Sequence, residues 1–375
     1  MTATAAAPQR ILLIATRQVG DVLLVTPLLR SLRRAYPAAV IDALVYTNKG
    51  GMLEGNPDCN TVIESDEHPD LAGYRALARR IFRRYDLALT TQANDRGHFY
   101  ALLASSRRIG IVPDNGWKSA WKRWSCEAVT VLDDVTTHTV VQNLRLADLL
   151  AIARHYEVVP PQVPNAADAV RPHLLQTLAP GTYAVVHPYP MWRYKRWTRA
   201  GWVALIAHLR TRGLDVVLTG GPDADERAFC ASLAKSFDTG VASLAGTTGF
   251  GAITPLLRSA AIFVGPDTSV THQAAAVGVP VVAIYGPTNP VKWGPWPAHG
   301  NSDPSPYAML NRPWQHAGNV LLVQGIAECM PCRMEGCERH KESYSRCLDD
   351  LPAAMVITAV EQALADGAGR QSGRQ

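Results

Sequence analysis

One carboxylate in the sequence lies where a parallel α/β sheet would place a catalytic group. Asp21 belongs to the segment Arg17-Gln18-Val19-Gly20-Asp21-Val22, which follows an apolar run typical of a first strand. The loop after such a strand lies at the carboxyl edge of the sheet, where these folds bind their ligands. Gly20 allows a ligand to approach the backbone closely. Because Asp21 also falls at the start of a predicted helix, the alternative is that it only caps that helix.

A second segment, Val264 to His272, combines the end of a strand, a tight turn and the start of a helix. Backbone amides near Thr268 and Ser269 would be free at the helix N-terminus and would bind an anion. The two hydroxyls add hydrogen-bond donors for a diphosphate. Asp267 would repel phosphate, so we expect it to accept hydrogen bonds from sugar hydroxyls. The alternative for this segment is a capped surface helix.

Two further loops are expected at the same edge of the sheet. The first follows the opening strand of the second half and carries Lys195, whose ammonium group can neutralise the charge that develops on a leaving diphosphate. The second, Tyr285-Gly286-Pro287-Thr288-Asn289-Pro290, is a rigid turn that would form one wall of a pocket. Taken singly, the two segments indicate no more than an exposed basic loop and ordinary turn chemistry.

Four of the seven cysteines lie close together near the end of the chain: Cys329, Cys332, Cys337 and Cys347. A Cys-x2-Cys pair with two more cysteines nearby has the ligand count of a tetrahedral thiolate site for structural zinc or iron. Disulfides are disfavoured in the cytoplasm, which favours the metal. The alternative is a set of reduced or redox-active thiols. A separate Asp223-Ala224-Asp225 resembles a metal-binding DxD motif, but we interpret it as the acidic start of a helix and predict no divalent ion there.

Three tryptophans are spaced to share one face of a helix. Trp117, Trp121 and Trp124 fall at i, i+4 and i+7, and they alternate with Lys118, Lys122 and Arg123. Indoles flanked by cations are typical of helices at membrane interfaces. Two alternatives remain open: an aromatic stripe packed into its domain, and a set of floors for sugar rings.

The elements that must position these residues alternate between strand-like and helix-like segments, which predicts mainly parallel sheets with βαβ crossovers. The proline-rich stretch Val158 to Asn165 is the best linker, and the alternation restarts after it. The sequence therefore predicts two Rossmann-like domains, at 1–165 and 166–352, with a ligand cleft between them. The cysteine-rich segment 329–347 belongs to the second domain. We expect the last helix, in 353–375, to pack back towards the first domain before a flexible tail.

The bulk composition limits the classes of protein that remain. The 375 residues, 47% of them hydrophobic, fit two globular domains. A net charge of +5 suits phosphate-rich partners, but it is too small to indicate a nucleic-acid-binding protein. No apolar run is long enough to span a bilayer or to form a signal peptide, so we expect a cytoplasmic protein. The basic residues of the first half are either solvated helix faces or a surface for an acidic acceptor.

Together these motifs resemble glycosyltransferase family 9, the bacterial lipopolysaccharide heptosyltransferases. The resemblance rests on Gly20-Asp21-Val22, the Lys195-x-Trp197 step, Gly265-Pro266-Asp267-Thr268 with His272, and Tyr285-Gly286-Pro287-Thr288, in matching order and spacing across nearly the whole chain. It implies the GT-B fold, in which two Rossmann domains face each other. The acceptor would lie on the N-terminal half and the nucleotide sugar on the C-terminal half. It also implies an inverting, metal-independent transfer from ADP-heptose, with no cofactor for catalysis.

The same resemblance implies roles for individual residues. Asp21 would be the general base that deprotonates the acceptor hydroxyl. Lys195 and the amides at Thr268 and Ser269 would clamp the diphosphate, and Asp267 would contact the sugar. His272 and Thr288 are also assigned to the donor side, and Arg17, Lys122 and Arg123 to the acceptor side. The chain departs from the family at Tyr189 to Trp192, which are bulky where better-known members carry small hydroxyl residues.

Several functions fit this pattern. The first is heptosyl transfer to a lipopolysaccharide core or a related glycolipid, with peripheral contact at the inner face of the inner membrane. The second is the same chemistry on a protein acceptor or with another nucleotide sugar. Other classes are a nucleotide-sugar epimerase or hydrolase, which would cleave the donor without an acceptor, and a non-catalytic binding protein. The presence of Asp21, Lys195 and Asp267 together argues against the last class, because binding needs no base. An oligomer is compatible with all of them.

Overall fold

The structure, a computed structural model, describes residues 7–163 and 178–372. Its contacts divide the chain into two compact units, Met1–Val159 and Pro160–Gln375. The predicted domain boundary at 165/166 lies outside the described residues. Each unit contains one β-sheet with its own helices, and each is considered separately.

The first unit is built on a six-stranded sheet in the order β3-β2-β1-β4-β5-β6, and every neighbouring pair is parallel. Its central strand, β1, has the sequence RILLI and is buried on both faces, as continuous apolar strands of parallel sheets are. The strand order reverses between β1 and β4: β2 and β3 lie on one side of β1, and β4, β5 and β6 lie on the other. The loops after β1 and β4 therefore border the crevice where such sheets bind ligands. The strands are β1 Arg10–Ile14, β2 Val40–Tyr46, β3 Thr61–Ser65, β4 Leu87–Thr90, β5 Arg108–Val112 and β6 Ala128–Val131.

Two groups of helices accompany this sheet. Helix α2 packs against α6, whereas α4 packs against α3 on one side and α5 on the other. Asp70 and Asn94 begin α3 and α4 as N-caps, each accepting a hydrogen bond from a backbone amide of the first turn. The helices are α1 Val19–Leu23, α2 Thr26–Ala35, α3 Leu71–Ile81, α4 Asp95–Ala104, α5 Ala120–Ser125 and α6 Thr139–Leu149.

The second unit is built on a seven-stranded sheet in the order β12-β13-β11-β10-β7-β8-β9. All neighbouring pairs are parallel except β12 and β13. Here the strand order reverses between β7 and β10, because β8 and β9 lie on one side of β7 and β10 lies on the other. The ligand crevice of this sheet is therefore expected at the carboxyl ends of β7 and β10. The strands are β7 Tyr183–Val186, β8 Asp215–Leu218, β9 Val241–Ser243, β10 Ile262–Pro266, β11 Val281–Tyr285, β12 Trp314–Ala317 and β13 Val320–Gln324.

The helices of the second unit enclose two apolar cores, one on each face of its sheet. Asp223 caps α8 by accepting hydrogen bonds from the amides of Asp225 and Glu226, so the DxD-like segment is the start of a helix, as predicted. The helices are α7 Arg199–Thr211, α8 Ala224–Ala234, α9 Phe250–Ser259, α10 Ser269–Val277, α11 Pro290–Trp293, α12 Arg346–Asp349 and α13 Ala353–Ser372.

The C-terminal helix packs into the second unit, and its packing towards the first domain stays a prediction. Val356, Ala359 and Val360 of α13 are fully buried in the core of the second unit. Their spacing forms one apolar stripe, and this stripe lies against α7 and the strands β10, β11 and β13. His208 of α7 and Glu361 form a 2.7 Å contact beside it.

The predicted α/β architecture, with two Rossmann-like units and mainly parallel sheets, is confirmed. The predicted tryptophan helix is interrupted, because Gly116–Ser119 forms a 3-10 turn and α5 begins only at Ala120. None of the described helices combines the length and hydropathy needed to cross a membrane.

Candidate functional site

Three loops of the second unit bring together a lysine, an aspartate and a threonine. Lys195 follows β7, Asp267 follows β10 and Thr288 follows β11, and these strands are neighbours in the sheet. The Lys195 Nζ lies 2.6 Å from Asp267 Oδ2, and Thr288 Oγ1 donates a hydrogen bond to the same oxygen at 2.7 Å. The three residues singled out in separate sequence motifs therefore form one cluster at the reversal point of the sheet.

The electrostatics of this cluster favour an ionised carboxylate. Burial alone would raise the pKa of Asp267, but Lys195 and His272 beside it lower that pKa below the ordinary value. Burial lowers the pKa of His272 to about 4, so this imidazole is neutral at pH 7. Its Nδ1 is buried and has no hydrogen-bond partner within the described residues. A ligand bound here would contact the Lys195 ammonium group, the Asp267 carboxylate and the His272 Nδ1, which has no hydrogen-bond partner within the described residues.

The N-terminus of α10 adds backbone donors to the same cluster. Thr268 is the N-cap, and its Oγ1 accepts a hydrogen bond from the Thr271 amide at 3.4 Å. The amides of Ser269 and Val270 belong to the first turn, where helix geometry provides no carbonyl partner. The segment is thus a capped helix, but it is largely buried and not the surface helix of the alternative interpretation. Capping leaves these amides available to an anion.

Sequence reasoning assigned no site role to Tyr285, although this residue lies in one of the motifs, or to the pair His187 and Glu226. The hydroxyl of Tyr285 donates to the Trp293 carbonyl at 2.8 Å and also interacts with Asp267, and burial raises its pKa well above the ordinary value. His187 Nε2 lies 3.7 Å from Glu226 Oε1 after β7. Burial lowers the pKa of His187 to about 4 and raises the pKa of Glu226. A histidine directly after a strand is the only sequence signal that could have indicated this pair.

The cysteine-rich segment packs against two loops of the cluster. Ser345 Oγ donates to the Tyr194 carbonyl at 2.6 Å, next to Lys195. Lys341 Nζ lies 4.4 Å from the ring centre of Trp192, and the Arg333 amide donates to the Pro287 carbonyl at 2.8 Å. The bulky residues before Lys195, which depart from the family pattern, therefore contribute a contact surface for this segment.

All four cysteines of this segment are free thiols. Burial raises the pKa of Cys347 to about 12, and the other three cysteines of the segment add to this rise. Within residues 7–163 and 178–372, however, no group of three or more His, Cys, Asp and Glu side chains is arranged to hold a metal ion. The structural zinc or iron stays a prediction.

In the first unit, Asp21 lies in the first turn of the short helix α1. The N-cap of this helix is Gln18, so the interpretation of Asp21 as the cap is wrong. Arg17 Nε lies 3.4 Å from Asp21 Oδ1, and the Asp21 side chain is 15% exposed, which leaves it accessible. The loop after the neighbouring strand β4 is joined to β1, because the Thr91 hydroxyl donates to the Ile14 carbonyl at 3.1 Å. Asp21 therefore lies at the reversal point of the first sheet, as Asp267 does in the second.

The other two residues assigned to the acceptor side lie on α5. Lys122 is buried, and its Nζ contacts Asp95 Oδ1 at 2.7 Å. Arg123 is partly exposed and donates to the Ser119 hydroxyl at 3.3 Å. The structure gives Lys122 a carboxylate partner that sequence reasoning did not anticipate, while Arg123 has no ionic partner in the described part of the chain.

Comparison with known proteins relates this geometry to one family. The family model for "Glycosyltransferase family 9 (heptosyltransferase)" matches residues 74–340. A lipopolysaccharide heptosyltransferase 3 of Escherichia coli is 29% identical over 355 residues, which cover 92% of this chain and 96% of the relative.

Two solved structures have a similar fold. The structure of E. coli ADP-heptose lipopolysaccharide heptosyltransferase II superposes with a TM-score of 0.69 at 21% identity, covering 95% of this chain and 99% of that one. A weaker likeness, at a TM-score of 0.51 and 14% identity, is to TibC, a dodecameric iron-containing heptosyltransferase in complex with ADP-D-β-D-heptose. It covers 96% of this chain and 76% of that one. At these identities the structures show the shared GT-B fold. The family match, which spans more than half of the sequence, shows that this chain is a glycosyltransferase belonging to family 9, the heptosyltransferase family.

Proposed function

We propose that this enzyme transfers heptose from ADP-heptose to a lipopolysaccharide core or a related acceptor, with inversion at the anomeric carbon and with Asp21 as the general base. The observation that carries the proposal is the cluster of Lys195, Asp267 and Thr288 beside the free amides of α10. It combines donors for a diphosphate with a carboxylate for sugar hydroxyls. The relatives named above act on ADP-heptose or lipopolysaccharide according to their descriptions.

On the donor side, Lys195 and the amides of Ser269 and Val270 would bind the diphosphate. Lys195 contacts Asp267, so a diphosphate would share this ammonium group with the carboxylate. Asp267 would then accept hydrogen bonds from the sugar. The buried Nδ1 of the neutral His272 would hydrogen-bond the nucleotide sugar, as an acceptor in one tautomer and as a donor in the other.

The chemical step follows from these positions. Asp21 takes the proton of an acceptor hydroxyl, and the oxygen attacks the anomeric carbon from the face opposite the diphosphate. The bond between the anomeric carbon and the diphosphate oxygen breaks, and ADP leaves with its negative charge stabilised by Lys195 and the α10 amides. Arg17, whose Nε lies 3.4 Å from Asp21 Oδ1, would orient the carboxylate towards the acceptor hydroxyl.

Donor specificity and reaction type can be tested with purified enzyme. We expect ADP-heptose, but not a UDP-sugar, to be consumed in the presence of a heptose-deficient core lipopolysaccharide. Consumption without any acceptor would instead support the hydrolase or epimerase. A donor that binds but is not transferred to the glycolipid would shift the proposal to a protein acceptor, and a chain that binds no adenine nucleotide would refute the donor assignment.

We also propose that Cys329, Cys332, Cys337 and Cys347 hold a structural zinc or iron ion, which would fix the segment that packs against the Lys195 loop. Four cysteine thiolates are a ligand set that suits such a metal chemically, and TibC, a structural neighbour of this chain, is described as iron-containing. Elemental analysis of enzyme purified without chelators should find about one equivalent per chain. The metal should be lost in Cys332→Ser and retained in Cys59→Ser, an isolated cysteine. A native enzyme that is active and metal-free would refute the proposal.

A further inference from the structure

The layer formed by α3, α4 and α5 exposes an unusual number of large apolar side chains. Fifteen large hydrophobic residues are exposed in the described part of the chain, and seven of them lie on or directly beside these three helices. We call this set the α3–α5 face; its members are Leu71, Phe82, Phe99, Leu102, Trp117, Trp121 and Trp124. Single exposed hydrophobic residues are ordinary, but a contiguous set indicates an interaction surface.

Packing within the layer makes the face continuous. Helix α4 lies between α3 and α5 and contacts both. At the α3 side the Arg83 amide donates to the Leu103 carbonyl at 2.9 Å. At the α5 side the ring of His98 meets Trp121 edge-on, with the ring centres 6.1 Å apart. The seven apolar residues are therefore contributed by one helical layer of the first unit, whose three helices pack side by side.

Two of the indoles have little contact with the protein. Trp117 is 82% exposed and Trp124 is 88% exposed. Of the three interpretations of the tryptophan motif, packing into the domain is therefore wrong for these two residues. Tryptophan is the residue that most favours the water–bilayer interface, because its ring is both apolar and capable of hydrogen bonding.

Basic side chains that the protein leaves unpaired are concentrated on the same layer, where they outnumber the acidic side chains Asp70, Asp95 and Asp114. Six side chains carry positive charge at its surface: Arg75, Arg79, Arg80, Arg83, Lys118 and Arg123. None of them forms an ion pair with a carboxylate of the described residues, and the acidic Asp95 of the layer is already paired with Lys122. An anionic surface would complement these charges, whereas a neutral or basic partner would leave them without compensation.

We propose that the α3–α5 face binds the surface of an anionic lipid bilayer, with Trp117 and Trp124 inserted at the headgroup level and the arginines contacting lipid phosphates. This proposal rests on the proposed function, because the face would bring the enzyme to the membrane that holds a lipid-anchored acceptor. Its test needs no turnover, so failure of membrane binding and failure of transfer can be told apart. Such a contact would increase the local concentration of acceptor at the first unit, which contains Asp21.

The test is flotation of the full chain with vesicles of phosphatidylglycerol and phosphatidylethanolamine, compared with vesicles of phosphatidylcholine. We expect binding to the anionic vesicles only. Vesicle binding should be at least about tenfold weaker in each of two double variants, Trp117→Ser/Trp124→Ser and Arg79→Glu/Arg83→Glu. The difference between the arginine variant and the native chain should become smaller in high salt. The controls are Met309→Ser, an exposed apolar residue of the second unit, and Arg34→Glu on α2. Both controls should bind as the native chain does, and thermal melts should show that all four variants fold.

Two results would overturn the proposal. One is a native chain that does not bind anionic vesicles. The other is vesicle binding that survives loss of both indoles while binding of a lipid-free core oligosaccharide is lost, which would show that the indoles serve as floors for sugar rings.

Discussion

Replacing Lys195 by methionine should destabilise the second unit strongly, because it isolates a buried carboxylate. Asp267 is 8% exposed, and its closest cation is the Lys195 ammonium group at 2.6 Å. Removing one partner of a buried ion pair costs about 3 kcal/mol or more, since the remaining charge keeps its desolvation penalty. For a unit of this size, that corresponds to a fall in Tm of about 6 to 12 °C.

A double-mutant cycle isolates the pair from other effects of the substitution. Lys195→Met, Asp267→Asn and the double variant would be compared by urea unfolding without ligand. The double variant should recover at least half of the stability lost in Lys195→Met.

The pH dependence of stability gives a second test of the ion pair. Because Lys195 lowers the pKa of Asp267, the pair stabilises the folded state above the unfolded-state pKa of Asp267. This contribution is lost as the pH falls through the lowered folded-state pKa. The native chain and Lys195→Met should therefore converge in stability as the pH falls. If the two single substitutions are additive within about 0.5 kcal/mol, the ion pair does not stabilise the unit and the reasoning is refuted.

Two more predictions concern the same unit. Burial lowers the pKa of His187 and His272 from 6.5 to about 4, so the unfolded chain binds protons that the folded chain does not. This difference has no effect on stability above pH 6.5, but it destabilises the folded state as the pH falls towards 4, by about 3 kcal/mol per histidine. A His187→Gln/His272→Gln variant should show a shallower pH dependence of the urea midpoint between pH 7 and 5, and an unchanged slope would contradict the assignment. Gly201→Ala should destabilise α7 by about 1 to 3 kcal/mol, because the added Cβ would lie 2.4 Å from the rigid ring of Trp197. A Tm equal to that of the native chain would show that the ring can move aside.

The sequence could predict which residues of the second unit lie close together. Apolar runs locate the strands, and the carboxyl ends of parallel strands share one edge of the sheet. Lys195, Asp267 and Thr288 were found in this way. Their direct contacts, and the participation of Tyr285, could not be predicted, because they depend on side-chain geometry across three strands. A tyrosine at the end of a buried strand is indistinguishable in sequence from any other core residue.

The motif around α5 shows where periodicity alone fails. The spacing of Trp117, Trp121 and Trp124 predicts one helical face, but Gly116 adopts a left-handed backbone with φ of 58° and a 3-10 turn precedes the helix. The burial of Lys122 likewise depends on Asp95, a residue of a different helix. Long-range contacts of this kind leave no trace in local sequence spacing.

The most direct test of the proposed mechanism is the single-turnover rate of heptose transfer from ADP-heptose to a heptose-deficient core, measured for the native enzyme and for Asp21→Asn. The substitution removes the base but keeps the size and most of the polarity of the side chain. We predict a rate at least about 100-fold lower in the variant, because the base is lost. ADP affinity should stay within about twofold of native, because Asp21 belongs to the first unit and the donor cluster to the second. Transfer at the native rate by Asp21→Asn would contradict the assignment of Asp21 as the base.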